Sequence, residues 1–295
     1  MAIDLVSGTY VVAVSGGVDS MVLLDMLRQN PGLKLIVAHY DHGIRDDSAD
    51  DRRLVGQVAR QYGLPFVYDH GNLGPYASEA QARQARYDFL HHVRSASSAR
   101  GIITAHHQDD ALETAVLQLL RGTGRRGLSS LDSRLTLERP LLDFTKADLQ
   151  RYGKDQGLTW REDRTNQDLK YLRNYIRHQL LPRLSAAQQQ QLQQLVARMR
   201  EVNTELDQLL DICLHLQPSV TSLERAWFIN LPHSLSAEVL AHWLRGRSIR
   251  GFTRKQLDKL VVRAKTLRPG QQVDINKTAV LKIEPNILAL VPRDR

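Results

Sequence analysis

The chain has 295 residues, 42% hydrophobic and 24% charged, with a net charge of +8; this composition is ordinary for a globular protein with one full core and part of a second. Its one cysteine, Cys213, excludes an internal disulfide and a Cys-X-X-Cys metal or redox site. No stretch approaches the roughly 20 apolar residues of a membrane span, and residues 1–4 lack the pattern of a signal peptide, so we expect a cytoplasmic protein with no membrane partner.

The first half of the chain predicts alternating strands and helices. We expect strands near 10–14, 33–39, 66–68 and 101–105, and helices near 21–27, 48–62, 78–93 and 110–120. Four strand–helix units imply an α/β fold with a mostly parallel sheet that is covered on both faces. In such a sheet, ligands bind beyond the carboxyl ends of the strands.

Composition changes after Leu184, which predicts two domains, 1–184 and 185–295. A long amphipathic helix opens near 188, and its apolar residues recur at three- and four-residue steps, a pattern typical of a helix-packing face. Two shorter helices near 236–244 and 253–266 and two or three short strands over 272–291 follow. The second domain is thus predicted to be smaller and helical, with a short C-terminal β element.

A strand, a glycine turn and a helix start meet at Ser15–Ser20. Such a junction points backbone N–H groups and the positive end of the helix dipole at a bound anion. The common phosphate loop and the GxGxxG dinucleotide fingerprint are both absent, and an ordinary strand-to-helix turn is the alternative. The candidate phosphate-binding residues are Ser15, Gly16, Gly17, Val18, Asp19 and Ser20.

Two further groups of polar residues follow strand ends. After the second strand, Asp41 could act as a base or metal ligand and Arg45 could neutralise phosphate charge, unless they only close a loop by pairing with each other. After the fourth strand come three acids at a helix start, Asp109, Asp110 and Glu113. One acid, Asp109 by position, could be a cap; together they could hold Mg²⁺ or an amine substrate. Zinc is disfavoured because His-Glu-X-X-His spacing is absent.

Positive charge is concentrated between residues 241 and 270, where nine basic residues face one acidic residue. A focused basic segment is the electrostatic footprint of a polyanion partner, with a solvated helix face as the alternative. Because 31 of the 40 basic residues are arginine, which binds phosphate bidentately and stacks on bases, the pattern favours RNA. The candidate RNA-binding residues here are Arg245, Arg250, Arg254 and Lys259.

The motifs and their order resemble the tRNA(Ile)-lysidine synthetases, which are PP-loop ATP pyrophosphatases. The resemblance covers about 11–184 and is carried by 15–20, 38–45, 82–87, 105–124, 139–142 and 162–182. One departure is Ala111, where many members carry Gln. The resemblance implies a Rossmann-like sheet of the PP-loop type, ATP and Mg²⁺ as cofactors, and tRNA(Ile) with a CAU anticodon and free L-lysine as substrates.

The resemblance also implies a two-step ligation. Oxygen 2 of the wobble cytidine attacks the α-phosphate of ATP, and the ε-amine of lysine then attacks carbon 2 and expels AMP. In that scheme Ser15–Ser20 holds pyrophosphate, while the three acids hold lysine's ammonium or Mg²⁺. Asp41 is a candidate base for the amine, and Arg45 stabilises phosphate charge. Arg173 and Arg177 join the basic segment in contacting the tRNA backbone.

Three other functions share some of these features. A PP-loop tRNA thiolase usually needs several cysteines, and this chain has one. A small-molecule amide synthetase does not explain the concentrated arginines. A non-catalytic RNA-binding module does not explain the intact loop and acids.

Overall fold

The computed structural model describes residues 3–43, 48–71, 79–122, 125–128, 131, 136–161, 172–217, 219, 221–249, 252–276 and 278–293. Its contacts divide the chain into two compact units, Met1–Arg200 and Glu201–Arg295.

The first unit contains a five-stranded, wholly parallel sheet. Its strands are β1 (Gly8–Ala13), β2 (Leu33–Asp41), β3 (Phe66–His70), β4 (Gly101–Ile103) and β5 (Leu137–Glu138), in the order β3-β2-β1-β4-β5. This confirms the predicted α/β fold. The sequence did not predict β5, because two residues are too few to show a periodicity.

The first five helices of the first unit lie between these strands in the sequence, and two more follow β5. They are α1 (Val18–Arg28), α2 (Ser48–Gln61), α3 (Glu79–Ala96), α4 (Gln108–Leu120), α5 (Arg125–Leu128), α6 (Lys146–Asp155) and α7 (Leu172–Tyr175). A π-helical turn (Ile176–Leu180) and a 3₁₀ turn (Leu181–Arg183) extend α7. Helix α8 (Ala186–His215) comes next, and the boundary between the two units lies within it.

Strand β1 is central, and its side chains alternate between two buried faces. Tyr10 and Val12 belong to the same apolar cluster as Leu23 on α1 and Leu149 on α6, whereas Val11 belongs with Leu90 on α3. A parallel strand that is buried on both faces reads as a continuous apolar run, as the sequence 10–14 does. This packing places the carboxyl end of β1 in the middle of the sheet.

The second unit combines helices with a four-stranded antiparallel sheet. After α8 come β6 (Ser222–Glu224), α9 (Arg225–Asn230), α10 (His233–Gly246), α11 (Arg254–Thr266), β7 (Gln272–Asp274), β8 (Ala279–Ile283) and β9 (Ile287–Pro292), with strand order β6-β9-β8-β7. The side chains of Phe228 and Trp243 are fully buried in its core. Across the residues that the structure describes, no helix has the length and apolarity to cross a membrane.

Candidate active site

The loop between β1 and α1 is closed around its own serine side chains. The Ser20 hydroxyl donates to the Gly17 carbonyl at 2.9 Å and accepts from the Ser15 backbone N–H at 3.1 Å. The Ser15 hydroxyl lies 3.2 Å from that of Ser20. These contacts fix the turn so that α1 begins at Val18, where the first helical N–H groups have no carbonyl partner within the helix. The predicted anion site therefore has the geometry of a helix N-terminus at the end of the central strand.

Gly16 is the residue of this loop that tolerates a side chain least. Its φ is +96°, and a Cβ would lie 3.4 Å from the Cβ of Asp51 on α2. The Gly16 carbonyl accepts from the Arg161 N–H at 3.0 Å, and the Arg161 guanidinium pairs with Asp51 at 2.7 Å. The loop is thus held from outside by α2 and residue 161.

The acidic group consists of Asp109, Asp110 and Glu113 at the start of α4, and the side chain of His107 lies beside it. Its buried ring nitrogens lie 3.3 Å from Asp109 Oδ2, 3.4 Å from Asp110 Oδ2 and 3.9 Å from Asp19 Oδ2. Burial alone lowers the pKa of His107, but the three carboxylates outweigh it and raise the pKa above its usual value. The imidazole therefore joins acids from the N-termini of two helices, α1 and α4.

The two aspartates of α4 also bind backbone N–H groups. Asp110 Oδ2 accepts from the His107 N–H at 3.1 Å and completes a capping box, while Asp109 Oδ2 accepts from the Lys146 N–H at 2.7 Å. The sequence suggested Asp109 as the cap; the capping box is instead formed by His107 and Asp110. Burial raises the pKa of both aspartates, but their hydrogen bonds and positive neighbours lower it overall.

Glu113 is buried and is paired with an arginine from the π-helical turn. Arg177 Nε lies 2.5 Å from Glu113 Oε1, and Arg177 Nη2 lies 3.2 Å from Asp110 Oδ1. One turn earlier, Arg173 donates to the Thr114 hydroxyl at 2.8 Å. Burial raises the pKa of Glu113, and Arg177 opposes the shift. The tRNA contact predicted for the two arginines stays a prediction, but both guanidinium groups lie at the acidic group.

His106 differs from its neighbour His107 in the direction of its pKa shift. Its Nδ1 lies 2.9 Å from the Thr104 hydroxyl. Burial, together with the positive charges of Arg139, Arg83 and Arg86, lowers the pKa of His106 to about 3 despite the opposing charge of Asp110. Two adjacent histidines at the same strand end thus have pKa values that are shifted in opposite directions.

Asp41 is engaged in the turn that follows β2. Its two oxygens accept from the Gly43 N–H at 2.8 Å and from the Ser48 hydroxyl at 2.9 Å. A Cβ on Gly43, whose φ is +65°, would lie 2.3 Å from the Gly71 carbonyl oxygen, so the turn is closely packed. Arg45 lies outside the described residues, and the pairing of Asp41 with Arg45 stays a prediction.

Three of the predicted RNA-binding residues of the second unit, Arg245, Arg254 and Lys259, lie on α10 and α11. Arg254 and Lys259 are exposed on α11, and Arg254 forms an ion pair of 3.3 Å within that helix. Arg245, near the end of α10, stacks over the ring of Phe252 at 5.2 Å. Arg250 lies outside the described residues. The exposed face of α11 is therefore basic, while Leu257 and Leu260 bury its opposite face.

Some cations of the same segment have structural partners. Arg247 donates to the Trp243 carbonyl at 2.8 Å and stacks on that residue's ring. Lys265 donates to the carbonyls of Ile229 and Leu231 at the end of α9. Some basic residues of this segment thus contribute to packing, and others contribute positive charge to the surface.

Lys146 is a site residue that the sequence analysis missed. Its Nζ lies 2.7 Å from both carboxylate oxygens of Asp19, while its backbone N–H binds Asp109. Lys146 and Asp19 are 127 residues apart, so no local pattern links them. The signal that could have found Lys146 is its position just after the motif 139–142.

The described residues include no group of three His, Cys, Asp or Glu side chains arranged to hold a metal ion. Mg²⁺ commonly binds proteins through one or two carboxylates together with substrate phosphates. Asp19, on the first turn of α1, has a carboxylate of the kind that binds Mg²⁺ in this way.

Comparison with known proteins defines the class. A family model described as a PP-loop domain matches residues 3–184, so the first unit contains a PP-loop domain, a type that implies use of ATP. The fold is similar to that of a U34-tRNA thiolase from Methanococcus maripaludis, with a TM-score of 0.52 and 15% identity over 67% of this chain and 74% of that chain. At this identity the likeness shows the fold alone.

Curated relatives narrow the class to one family. The tRNA(Ile)-lysidine synthase of Lactiplantibacillus plantarum is 30% identical over 96% of this chain and 67% of that protein. Those of Pseudomonas fluorescens and Solibacter usitatus are 35% and 40% identical, over 79% and 59% of this chain and 57% and 40% of those proteins. The chain belongs to the tRNA(Ile)-lysidine synthase family, which confirms the resemblance seen in the motifs. It spans only about 40% of the Solibacter protein.

Proposed function

We propose that this protein ligates free L-lysine to carbon 2 of the wobble cytidine of tRNA(Ile) with a CAU anticodon, in the cytoplasm and with ATP as the activating substrate. The observation that carries the proposal is the acidic group beside the PP-loop, in a chain that matches a named tRNA(Ile)-lysidine synthase over 96% of its length. Residues 1–184 would carry the chemistry, and residues 185–295 would bind the tRNA.

In the activation step the loop Ser15–Ser20 would hold the β- and γ-phosphates. The N–H groups at the start of α1 supply fixed donors, and the helix dipole favours the negative charge that pyrophosphate gains as it leaves. Mg²⁺ would share that charge, with Asp19 as its protein ligand. Arg45 is the candidate cation for the phosphate transition state.

In the ligation step Asp109 and Asp110 would bind lysine's ammonium. Both carboxylates have lowered pKa values and so carry the negative charge that attracts a cation. Glu113 would support these two aspartates without binding the ammonium itself, since its charge is already paired with Arg177. The reacting ε-amine must lose a proton before it attacks carbon 2. Asp41 is the candidate base, and its bonds to Gly43 and Ser48 would orient it.

The tRNA would be held by the basic residues of the second unit, namely Arg245, Arg250, Arg254 and Lys259, and by Arg173 and Arg177. Phosphate contacts by lysine and arginine supply most of the affinity for nucleic acid and make it depend on salt. The wobble base must also leave its stack to reach the nucleotide, at a cost of a few kcal/mol.

The test is incubation with ATP, Mg²⁺, radiolabelled lysine and purified tRNAs. We expect label in tRNA(Ile) with the CAU anticodon, release of AMP and pyrophosphate, and no label in methionine tRNAs that share the triplet. The variant Asp110→Asn should lose incorporation, whereas the matched exposed control Asp155→Asn should retain it. Cleavage of ATP solely at its terminal linkage, or equal labelling of methionine tRNA, would contradict the proposal.

A further inference from the structure

Lys146 joins two carboxylates that belong to different helices. Its Nζ lies 2.7 Å from both oxygens of Asp19 on α1, and its backbone N–H donates to Asp109 on α4 at 2.7 Å. Lys146 is itself the first residue of α6. The N-terminal turns of α1, α4 and α6 therefore meet at this one residue.

Three helix N-termini contribute partial positive charge at this point, beside the carboxylates of Asp19 and Asp109. Each helix contributes a partial positive charge, and the ammonium of Lys146 adds a full charge. The anion that Lys146 contacts is the carboxylate of Asp19, which presents two oxygens to one cation. A phosphoryl group presents oxygens of the same kind, so the same ammonium can bind it.

The side chain of Lys146 is long enough to contact a phosphoryl group that binds beside Asp19. It is 40% exposed, and Asp19 is 27% exposed, so the pair is open to solvent on one side. Lysine carries its charge on a flexible four-carbon stem with three donors, and can therefore contact a carboxylate and a neighbouring phosphoryl oxygen together. Thr145 and Asp148 fix the start of α6 by a capping box, so the stem begins from a rigid point.

We propose that Lys146 is a catalytic residue of the adenylation step, in which its ammonium binds a phosphoryl oxygen of ATP and Asp19 holds it in place beforehand. The inference rests on the proposed function. In that step a bond forms between cytosine oxygen 2 and the α-phosphorus. The bond from that phosphorus to the α–β bridging oxygen breaks, and its electron pair leaves with pyrophosphate. Lys146 neutralises the charge that the leaving group gains, and no proton is transferred in the step.

A purely structural role makes different predictions. If Lys146 only clamps α6 to α1, its replacement lowers the melting temperature and affects activity through stability. If Lys146 binds phosphate, its replacement lowers the rate at temperatures far below melting and weakens the binding of inorganic pyrophosphate.

The experiment compares Lys146→Gln, Lys146→Arg and the control Lys154→Gln, an exposed lysine on the same helix. The readouts are single-turnover release of pyrophosphate with tRNA and saturating ATP, equilibrium binding of inorganic pyrophosphate, and the melting temperature. We expect Lys146→Gln to slow release about 100-fold and to weaken pyrophosphate binding about tenfold. Lys146→Arg should recover part of both, and Lys154→Gln should match the wild type.

The outcomes separate the two proposals. If the wild type labels tRNA(Ile) and Lys146→Gln releases pyrophosphate at the wild-type rate, the inference about Lys146 is overturned. The inference is also overturned if Lys146→Gln loses rate and has a lowered melting temperature but binds pyrophosphate as the wild type does. In that case Lys146 has only the structural role of holding α6 to α1. If the wild type labels no tRNA, the proposed function fails, and pyrophosphate binding alone then decides whether Lys146 is a phosphate ligand.

Discussion

The guanidinium of Arg177 meets the carboxylate of Glu113 through two contacts, with Nε 2.5 Å from Oε1 and Nη2 2.9 Å from Oε2. The carboxylate is 2% exposed, so water does not replace the arginine as its partner. Arg177 lies on the π-helical turn, a local widening of the helix that is common at functional sites. The pair therefore ties the turn Ile176–Leu180 to the acidic face of α4.

Replacement of Arg177 by methionine should destabilise the protein strongly. It leaves the buried charge of Glu113 without its main partner, and we expect a loss of about 3 kcal/mol in the free energy of unfolding. Urea denaturation at neutral pH measures this loss. The double variant Arg177→Met/Glu113→Gln should recover at least half of it, because both charges are then removed. Arg183→Met, which alters an exposed arginine shortly after in the chain, is the control; a similar loss in both single variants would argue against a special role for the pair.

Replacement of Gly16 by alanine should abolish ATP binding, although it should cost no more stability than the replacement of another glycine with a positive φ. The φ of +96° strains any side chain by about 1–2 kcal/mol, and we expect the loop to shift to relieve that strain, because the new Cβ would already be in contact with Asp51. Gly157→Ala is the matched control, because Gly157 has a φ of +64° and open space around it. Both variants should lose similar stability by thermal melting, whereas only Gly16→Ala should lose ATP binding in equilibrium dialysis. Wild-type ATP affinity in Gly16→Ala would count against the loop as the phosphate site.

The parts of the molecule that the sequence predicted are those specified by adjacent residues. The turn at Ser15–Ser20 is closed by its own serines, so its conformation is encoded within six residues. Likewise, the continuous apolar run of β1 predicts a central strand, because both of its faces are buried. The order of the motifs identified the family, because several separate segments matched it together.

The parts that the sequence did not predict depend on distant contacts. Lys146 meets Asp19 across 127 residues, and no local periodicity encodes such a pair. The apolar stripe of α8 was interpreted as one packing face, yet Leu206 and Leu210 are packed in a core while Leu195 and Leu209 are more than half exposed. A stripe of three- and four-residue steps covers more of a helix than one neighbour can bury, so the sequence does not say which edge is packed.

Charge reversal on the exposed face of α11 should weaken tRNA binding and spare ATP binding. We expect Lys259→Glu to lower tRNA affinity and to reduce the slope of log affinity against log salt by about 1. The triple variant Arg250→Glu/Arg254→Glu/Lys259→Glu should show a larger loss. Lys282→Glu, which makes the same charge change on β8, is the control for net charge. Filter binding at several salt concentrations measures both quantities, and equal affinities for Lys259→Glu and Lys282→Glu would mean that α11 does not contact the tRNA.

Asp25 should stabilise the first unit in a manner that depends on pH. Burial alone raises the pKa of this carboxylate, but hydrogen bonds from Arg28, Tyr152 and Tyr62 outweigh it and lower the pKa below its usual value. A lowered pKa means that the folded state binds the proton less tightly than the unfolded state does. The stabilisation is therefore complete above the unfolded pKa of about 4 and is lost as the pH falls through the folded pKa.

The variant Asp25→Asn keeps the shape of the side chain but removes its charge and one acceptor. We expect it to lose about 2 kcal/mol at pH 7 in urea denaturation, since hydrogen bonds to a charged group are stronger than neutral ones. The gap between Asp25→Asn and the wild type should narrow as the pH falls below about 4. Asp155→Asn, at the exposed end of α6, should match the wild type at both pH values. A gap that stays constant between pH 7 and pH 3 would show that shape and packing at Asp25, rather than its charge, stabilise its contact with Tyr62 and with Tyr152 on α6.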